Sequence, residues 1–290
     1  MNTAPAGLNT REFSFTDADF RALAKLAHSE FGLALAESKK PLVYSRLARR
    51  LRAREVNEFS DYMKLLTKTD ETDERLQLIS ALTTNVTSFF REKHHFATLR
   101  EKLVPELAQQ ARVRIWSAGC SSGQEPFSIA MTLHDSLPER ARRDVRLLAT
   151  DIDPAVVSRA RAAKYPKEEA ETIPEDLRRR WTTTCPDDPD KVAISAAMRD
   201  MISFAELNLM QEWPFKGPFD AIFCRNVAIY FDQNTQKRLW ARFTDMLRPG
   251  GYLFIGHSER VTGDALATLT TAGVTTYRKN GGADTGNAAH

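Results

Sequence analysis

Residues 113–125, VRIWSAGCSSGQE, and residues 146–153, RLLATDID, decide the fold of this chain. The first stretch is an apolar β-type run that ends in a turn of small residues and enters a helix at Glu125. The second is another apolar run, and it ends in a carboxylate, Asp151. An open α/β sheet holds a nucleoside-bearing cofactor with this order of parts, because small residues let the ligand approach the backbone and the acid accepts hydrogen bonds from a ribose.

The turn GCSSG departs from the dinucleotide fingerprint G-x-G-x-x-G. Ser121 stands where the second glycine normally lets a pyrophosphate approach the backbone. The departure favours a ligand without a pyrophosphate, with S-adenosylmethionine as the leading candidate and a nicotinamide dehydrogenase as the weakest alternative. The turn alone does not decide, since many strand-to-helix turns are rich in glycine and serine for steric reasons.

Composition bounds the class of protein. The chain has 290 residues, of which 42% are apolar and 27% charged, as in ordinary soluble proteins, and its length favours two domains. No apolar run approaches the roughly 20 residues that cross a bilayer, and the first residues lack a signal-peptide pattern. The three cysteines are far apart and show no metal-ligand spacing, and the formal charge of +3 is too small to imply nucleic acid. We therefore expect a cytoplasmic protein with reduced thiols, no metal, no nucleic-acid partner and no direct membrane insertion.

The N-terminal part is predicted to be all-helical over residues 15–83, after a disordered segment at 1–14. Thr16, with Asp19 three positions on, predicts a helix start. A second helix is expected after Pro41, a third capped by Ser60, and a fourth over 70–82.

The remainder predicts a second domain over residues 94–280, in which short apolar strands alternate with helices. This alternation indicates a parallel, helix-covered sheet. We expect a last strand at the sheet edge over 274–279, a disordered tail over 281–290, and a small inserted antiparallel β-subdomain over 165–205. The predicted regular elements are a helix near 94–110, strands at 113–118, 145–150, 219–224 and 251–256, and helices at 125–137, 154–163 and 233–247.

Residues 84–93 join the two predicted domains and combine polar side chains with two aromatics. One interpretation is a linker whose Phe89 and Phe90 plug an inter-domain core, and the residues alone favour it. The other is that Asn85, Thr87 and Arg91 reach the cofactor, with Arg91 pairing with its carboxylate.

A third apolar run, 219–224, is followed by Arg225 and Asn226. The carboxyl ends of parallel strands line the ligand crevice, so these two residues are expected at the same edge as Asp151. Tyr230 either turns back over that edge or lies in the core.

A basic stretch begins at Lys39 and contains no acidic residue up to Arg54. Arg46, Arg50 and Arg54 share a helix face by their spacing. A solvated helix face is the common explanation, and a docking surface for an acidic partner is the alternative. His94, His95 and His257 are assigned to structure, because adjacent histidines point to different helix faces and so disfavour a metal site.

Taken together, these segments resemble the CheR family of chemotaxis receptor methyltransferases over roughly residues 15–280. Six collinear motifs at sensible spacing are more specific than any one of them, and they overturn the preference for a plain linker at 85–91. The motifs are TTNVTSFFREKHHF (83–96), WSAGCSSGQEPFSIAM (116–131), ATDIDPAVVSRAR (149–161), LNLM (207–210), FDAIFCRNVAIYFD (219–232) and LRPGGYLFIGHSE (247–259).

The resemblance implies a helical N-terminal domain, a linker at 84–93 that contributes to the cofactor site, and a Rossmann-like S-adenosylmethionine-dependent methyltransferase domain carrying the inserted antiparallel β-subdomain. It implies methyl transfer to glutamate carboxylates on the cytoplasmic, glutamate-rich coiled coil of a chemotaxis receptor, with S-adenosylhomocysteine as product and no metal. In some members the β-subdomain also grips a receptor tether. By matching motifs, the cofactor contacts would be Asn85, Thr87, Arg91, Glu125, Asp151, Asn208, Leu209, Arg225 and Asn226.

Within that set, Glu125 would lie by the methionine amine and Asp151 by the ribose. Arg225 and Tyr230 are the candidates for fixing the acceptor or cofactor near the reacting methyl group. The basic helix would dock the receptor through Arg46, Arg49, Arg50 and Arg54. Gln124 stands where some members have Glu, and Phe127 where Tyr is usual.

Two alternatives stay open at this point. One is a non-catalytic module that binds the cofactor as a scaffold or sensor, and the other is a methyltransferase acting on nucleic acid or a small molecule. Base-modifying enzymes commonly carry an Asn/Asp-Pro-Pro-aromatic run after the fourth strand, whereas this chain has Arg-Asn-Val-Ala at 225–228.

Overall fold

The computed structural model describes residues 12–281, and the chain divides into two compact units between Thr84 and Asn85. Residues 1–11 and 282–290, where disorder is predicted, lie outside the described residues. The prediction of disorder is wrong for 12–14, because the Phe13 side chain is buried and its backbone N–H donates to the Tyr44 hydroxyl at 3.2 Å.

Four α-helices build the first unit within the described residues. Thr16 and Asp19 form a capping box at the first helix, and Gly32 ends that helix in the left-handed conformation, as the sequence predicts. The prediction that Ser60 caps the third helix is wrong, since Glu58 precedes it and Ser60 lies inside. The helices are α1 (Asp17–Phe31), α2 (Lys40–Ala53), α3 (Phe59–Leu66) and α4 (Thr72–Leu82).

The second unit alternates strands and helices around one large sheet. Its helices are α5 (Lys93–Thr98), α6 (Val104–Leu107), α7 (Gln124–Ser136), α8 (Glu139–Arg142), α9 (Pro154–Ala162), α10 (Lys167–Ala170), α11 (Glu175–Trp181), α12 (Ala196–Arg199) and α13 (Gln233–Met246). Its strands are β1 (Val113–Ala118), β2 (Val145–Asp151), β3 (Lys164–Pro166), β4 (Thr182–Cys185), β5 (Asp188–Ile194), β6 (Ile202–Glu206), β7 (Phe219–Cys224), β8 (Leu247–Ile255), β9 (Leu269–Gly273) and β10 (Thr276–Lys279). A π-helical turn, Leu99–Leu103, separates α5 from α6, so the single helix predicted near 94–110 is interrupted.

The large sheet has the strand order β6-β2-β1-β7-β8-β10-β9. The strands from β6 to β8 run parallel, and β10 pairs antiparallel with both β8 and β9. From β1 the chain first builds outward through β2 to β6 and then returns to place β7 on the other side of β1. The switch point therefore lies between β1 and β7, where open α/β sheets bind their ligands.

The three-stranded antiparallel sheet, β3-β5-β4, forms the inserted β-subdomain. Its predicted extent is wrong at one end, since residues 202–206 pair with β2 in the large sheet. The predicted final strand is also misplaced. An additional strand, β9, takes the sheet edge outside β10.

Helices over residues 12–281 are either too short or too polar to cross a lipid bilayer.

Candidate active site

The turn that follows β1 is built for close approach. Gly119 has φ +85°, and a Cβ added there would lie 2.3 Å from Val227 Cγ2, so that only glycine fits between β1 and the segment after β7. Gly123 has φ +95°, and its added Cβ would lie 2.7 Å from the Tyr165 hydroxyl. These two glycines are thus required by positive φ angles and by close packing of the turn against Val227 and Tyr165.

Asp151 lies at the carboxyl end of β2, beside this turn. Its carboxylate accepts the backbone N–H of Ser121 at 2.8 Å and that of Asp153 at 3.1 Å, and burial raises its pKa. The carbonyl of Asp151 accepts the N–H of Leu207 at 2.8 Å, and this bond brings Asn208 and Leu209 to the same edge. The half-buried carboxylate keeps acceptor capacity for a hydroxyl pair.

The polar residues of segment 85–91 reach this edge from the other side. Asn85 donates to Asp153 at 3.0 Å, and its carbonyl accepts from the Ser121 hydroxyl at 3.1 Å. Thr87 is half-buried, and Arg91 donates back to the carbonyl of Val86 at 2.9 Å.

The aromatics of the same segment are buried inside the second unit. Phe89 meets Tyr165 with ring centroids 5.0 Å apart, and Phe90 meets Phe96 at 4.9 Å. The sequence-based expectation of an inter-domain plug is therefore corrected to a plug within this unit. Segment 85–91 therefore directs polar residues toward the carboxyl edge of the large sheet and aromatic residues into the core of the second unit.

Arg225 is the centre of a buried ion cluster, which we call the Arg225 cluster: Arg225, Glu125 and Glu92. Its guanidinium donates to Glu125 at 2.9 Å and to the carbonyl of Arg91, and it lies 3.4 Å from Glu92. Glu125 also accepts from the Ser117 hydroxyl at 2.7 Å. The Arg225 side chain is only 2% exposed. This position disfavours the predicted contact of Arg225 with the acceptor and favours a role in orienting Glu125.

Glu92 is a member of the site region that sequence reasoning missed. It has φ +58°, and its carboxylate lies 3.0 Å from the His257 ring and 3.5 Å from the His95 ring. Burial would raise the pKa of Glu92, but the charge of Arg225 and the hydrogen bonds from His257 outweigh it, and the pKa is lowered. The acidic residue in the middle of the motif FFREKHHF is the feature of the sequence from which Glu92 could have been predicted as part of the site.

The prediction that His94 and His95 point to different helix faces is wrong. The rings of His94 and His95 lie 4.2 Å apart, and their ligand atoms and those of Glu92 lie within 4.8 Å of one another. Such a group can hold a metal ion in other proteins, but here the Arg225 guanidinium next to Glu92 opposes a cation.

The segment after β7 carries the remaining predicted residues. Asn226 has φ +59°, a strained conformation for a residue with a side chain, and Tyr230 is half-buried in a 3₁₀ turn, Ala228–Tyr230. Glu259, which the sequence analysis did not single out, accepts backbone N–H groups of this segment. We call residues 225–230 the β7 segment.

The basic helix is largely committed to the fold of the first unit. Arg46 donates to the carbonyls of residues 81–83, the orphaned end of α4, and Arg50 makes two hydrogen bonds to the buried Glu74, at 3.0 and 2.6 Å. Arg54 lies 2.6 Å from Glu71. Acids and carbonyls of α4 and its N-cap thus take up donors of all three arginines, and docking of a receptor through them stays a prediction. Arg49 is exposed and makes no hydrogen bond or ion pair within residues 12–281.

Asn85, Asp151, Glu125, Arg225 and Asn226 thus converge on the switch point of a mostly parallel sheet. A doubly wound sheet with a glycine turn after β1 and an acid at the end of β2 fits the class of S-adenosylmethionine-dependent methyltransferases.

Comparison with known proteins identifies the family. The family model described as CheR methyltransferase, SAM binding domain, matches residues 85–277, and the CheR methyltransferase all-alpha domain matches residues 18–83. The chain belongs to the CheR methyltransferase family and is an S-adenosylmethionine-dependent methyltransferase of chemotaxis.

Three relatives cover most of the chain. It is 45% identical to "Probable chemotaxis protein methyltransferase" of Rhizobium etli, over 87% of this chain and 96% of that one. It is 43% identical to "Chemotaxis protein methyltransferase" of Klebsiella aerogenes, over 84% and 83%. It is 42% identical to "Chemotaxis protein methyltransferase 2" of Pseudomonas aeruginosa, over 86% and 89%.

Proposed function

We propose that this enzyme transfers the methyl group of S-adenosylmethionine to glutamate side chains on the cytoplasmic helical bundle of a chemotaxis receptor, forming glutamate methyl esters. The observation that carries the proposal is the charge of the Arg225 cluster. Two carboxylates, Glu92 and Glu125, face one guanidinium, and Asp151 adds a third carboxylate at the same edge. An excess of negative charge suits a donor that bears a sulfonium and an ammonium group.

The residues at the switch point fit the cofactor. Glu125 is fixed by Ser117 and Arg225 and offers a carboxylate to the ammonium of the methionine moiety, while Asp151 offers acceptors to the ribose hydroxyls. Gly119 leaves room where any side chain would collide with Val227. Arg91 would exchange its hydrogen bond to the carbonyl of Val86 for one to the carboxylate of the cofactor.

The acceptor needs little acid–base help. A solvent-exposed glutamate has a pKa of about 4.3, so it is already a carboxylate at neutral pH. Its oxygen forms a bond to the methyl carbon while the carbon–sulfur bond breaks, and the electron pair of that bond stays on sulfur. When bound, the cofactor supplies the methyl group and a good leaving group. The protein aligns the three atoms and removes water from the nucleophile.

Tyr230 is the residue we assign to the acceptor side. It follows Asn226 by four positions in the β7 segment, and it keeps a half-exposed position while Arg225 is enclosed. A light orienting contact from its hydroxyl fits the reaction, because a full ion pair would reduce the nucleophilicity of the carboxylate.

The test is transfer of radiolabelled methyl from S-adenosylmethionine to receptor fragments, with release of the label as methanol in base. Base-labile label on glutamate is the expected result. Label that survives base, or label on nucleic acid, would redirect the substrate assignment. Cofactor binding without turnover on any receptor fragment would instead support the scaffold alternative.

The tyrosine assignment has its own measurement. Tyr230→Phe is expected to lower kcat about tenfold and to leave the dissociation constant of S-adenosylhomocysteine unchanged, since only the hydroxyl is removed. An unchanged kcat/KM would remove Tyr230 from the mechanism.

A further inference from the structure

The β7 segment is held by a single buried carboxylate. Glu259 is 8% exposed, and each of its carboxylate oxygens accepts two backbone N–H groups. One oxygen accepts from Asn226 at 3.0 Å and from Gly256, and the other accepts from Val227 at 2.9 Å and from Ile229 at 3.3 Å. Three of the four donors belong to the β7 segment.

Within residues 12–281, the N–H groups of Asn226, Val227 and Ile229 have no acceptor other than Glu259, whereas the carbonyls of Val227 and Ala228 accept from Tyr230 and Phe231. Residues 225–227 lie between β7 and the 3₁₀ turn, outside any strand pairing, and Asn226 has the strained φ of +59°. An unpaired buried N–H costs free energy comparable to a lost hydrogen bond. Glu259 therefore compensates both the orphaned donors and the strain at Asn226.

The fit around Glu259 is tight. A Cβ added to Gly256 would lie 2.7 Å from the backbone nitrogen of Asn226 and 2.9 Å from a carboxylate oxygen of Glu259. No lysine, arginine or histidine nitrogen within residues 12–281 lies in ion-pair distance of this carboxylate. A buried carboxylate neutralised only by backbone dipoles is costly, and such costs are commonly retained at functional sites.

We propose that Glu259 is the positioning residue of the active site: its carboxylate, by accepting the N–H groups of Asn226, Val227 and Ile229, holds the β7 segment in the conformation in which Asn226 meets the cofactor and Tyr230 meets the acceptor. The inference rests on the proposed function for the roles of Asn226 and Tyr230. Glu259 itself touches neither substrate nor cofactor.

The test variant is Glu259→Gln, which keeps the volume but turns an NH₂ group toward two backbone N–H donors. We expect the dissociation constant of S-adenosylhomocysteine, measured by calorimetry, to rise at least tenfold. The amides of Asn226 and Val227 should exchange with solvent at least tenfold faster. In the methylation assay we expect kcat to fall as well as KM for the cofactor to rise, because both ends of the segment move.

Asp220→Asn is the matched control. Asp220 is also buried and lies near the start of β7, the strand that leads into the β7 segment, where it accepts the backbone N–H of Arg114 at 2.7 Å and the Arg248 side chain at 2.6 Å. This variant should lower the unfolding midpoint while leaving the affinity for S-adenosylhomocysteine within twofold of wild type. If Glu259→Gln fails to fold, Glu259→Asp replaces it, with a carboxylate one methylene too short to reach all four donors.

The proposal is overturned if the Glu259 variant binds S-adenosylhomocysteine like wild type, or if the Asp220 variant loses affinity to the same degree. It is supported if only the Glu259 variant loses affinity. The binding and exchange measurements need no acceptor, so a failure of the receptor–glutamate assignment leaves this test intact.

Discussion

Two buried ion clusters, one in each unit, use the same residue types to different ends. In the helical unit, Glu74 accepts from both arms of Arg50 and from the Tyr62 hydroxyl at 2.6 Å, and we call these three residues the Glu74 cluster. Arg54, which lies 2.6 Å from Glu71, also lies 3.9 Å from Glu74, so two guanidinium groups face two carboxylates, and both oxygens of Glu74 accept hydrogen bonds. Burial first, and then Glu74, raises the pKa of Tyr62, so the phenol stays a donor.

The Arg225 cluster is not balanced in this way. Two carboxylates share one guanidinium, and one oxygen of Glu92, Nε of Arg225 and Nδ1 of His95 are buried without a hydrogen-bond partner. Buried polar atoms are usually paired. The difference teaches how charge is distributed: the Glu74 cluster and its neighbours match carboxylates with guanidinium groups, whereas the Arg225 cluster has an excess of carboxylates beside the predicted cofactor site.

Breaking the Arg225 cluster should give the largest effect. Arg225→Met removes the guanidinium that Glu125 and Glu92 share, so we expect the free energy of unfolding to fall by about 3–5 kcal/mol. The kcat/KM for methyl transfer should fall at least 100-fold, because Glu125 loses its orientation. Chemical denaturation and the methylation assay measure the two quantities.

Arg225→Lys is the companion variant. It restores the charge but cannot bridge Glu125 and the carbonyl of Arg91 together, and so should recover stability more than activity. Near-wild-type activity in the methionine variant would contradict the role of the cluster.

Breaking the Glu74 cluster should affect stability alone. Glu74→Gln removes the negative charge to which Arg50 and Tyr62 donate hydrogen bonds. We therefore expect the free energy of unfolding to fall by about 2–3 kcal/mol. The affinity for S-adenosylhomocysteine should stay unchanged, because the predicted cofactor residues all belong to the second unit. A variant with full stability and weakened cofactor binding would invert the comparison.

The sequence predicted the fold where local patterns suffice. Strands β1, β2 and β7 are mainly apolar, each with one charged residue at its second position, and they end in small or polar residues, so their bounds and their shared carboxyl edge could be inferred. Strand β6 was assigned to the insertion because it follows the insertion in sequence, although it pairs with β2. Strand β9, LTTAG, carries too weak an apolar alternation to be recognised.

The site was predicted less completely, and the reason is distance along the chain. The motifs located Asp151, Glu125 and the β7 segment. The partners that hold these residues lie far away along the chain: Glu74 for the Arg50 side chain, Glu92 for the Arg225 side chain, and Glu259 for the backbone of Asn226. Helix periodicity predicts that the basic side chains share one face, but it does not show that they donate to carboxylates and carbonyls of α4 and its N-cap.

Lowering the pH should destabilise the folded protein through His95, which lies 3.5 Å from Glu92 of the Arg225 cluster. Burial first, and then Arg225, lowers the pKa of His95 from 6.5 to about 3. Between these values the unfolded chain takes up a proton that the folded chain refuses, so stability falls as the pH is lowered. The slope is at most about 1.4 kcal/mol per pH unit.

His95→Gln should remove that slope between pH 6.5 and 4 in denaturation curves. Above pH 7 the curves of the variant and the wild type should run parallel, since the ring is neutral in both states there. Equal slopes in the acid range would show that His95 is protonated in the folded enzyme.

The smallest effect is expected at Arg49, the exposed arginine of the basic helix, which has no ion-pair or hydrogen-bond partner among residues 12–281. Arg49→Glu should raise KM for the receptor about threefold to tenfold at low salt, because a rim charge steers an acidic partner, and the effect should shrink as salt is added. Lys25→Glu makes the same charge change on the exposed side of α1 and should leave KM unchanged. Equal effects of the two variants would attribute the attraction to net charge, and no effect of Arg49→Glu would leave the basic helix with its structural role alone.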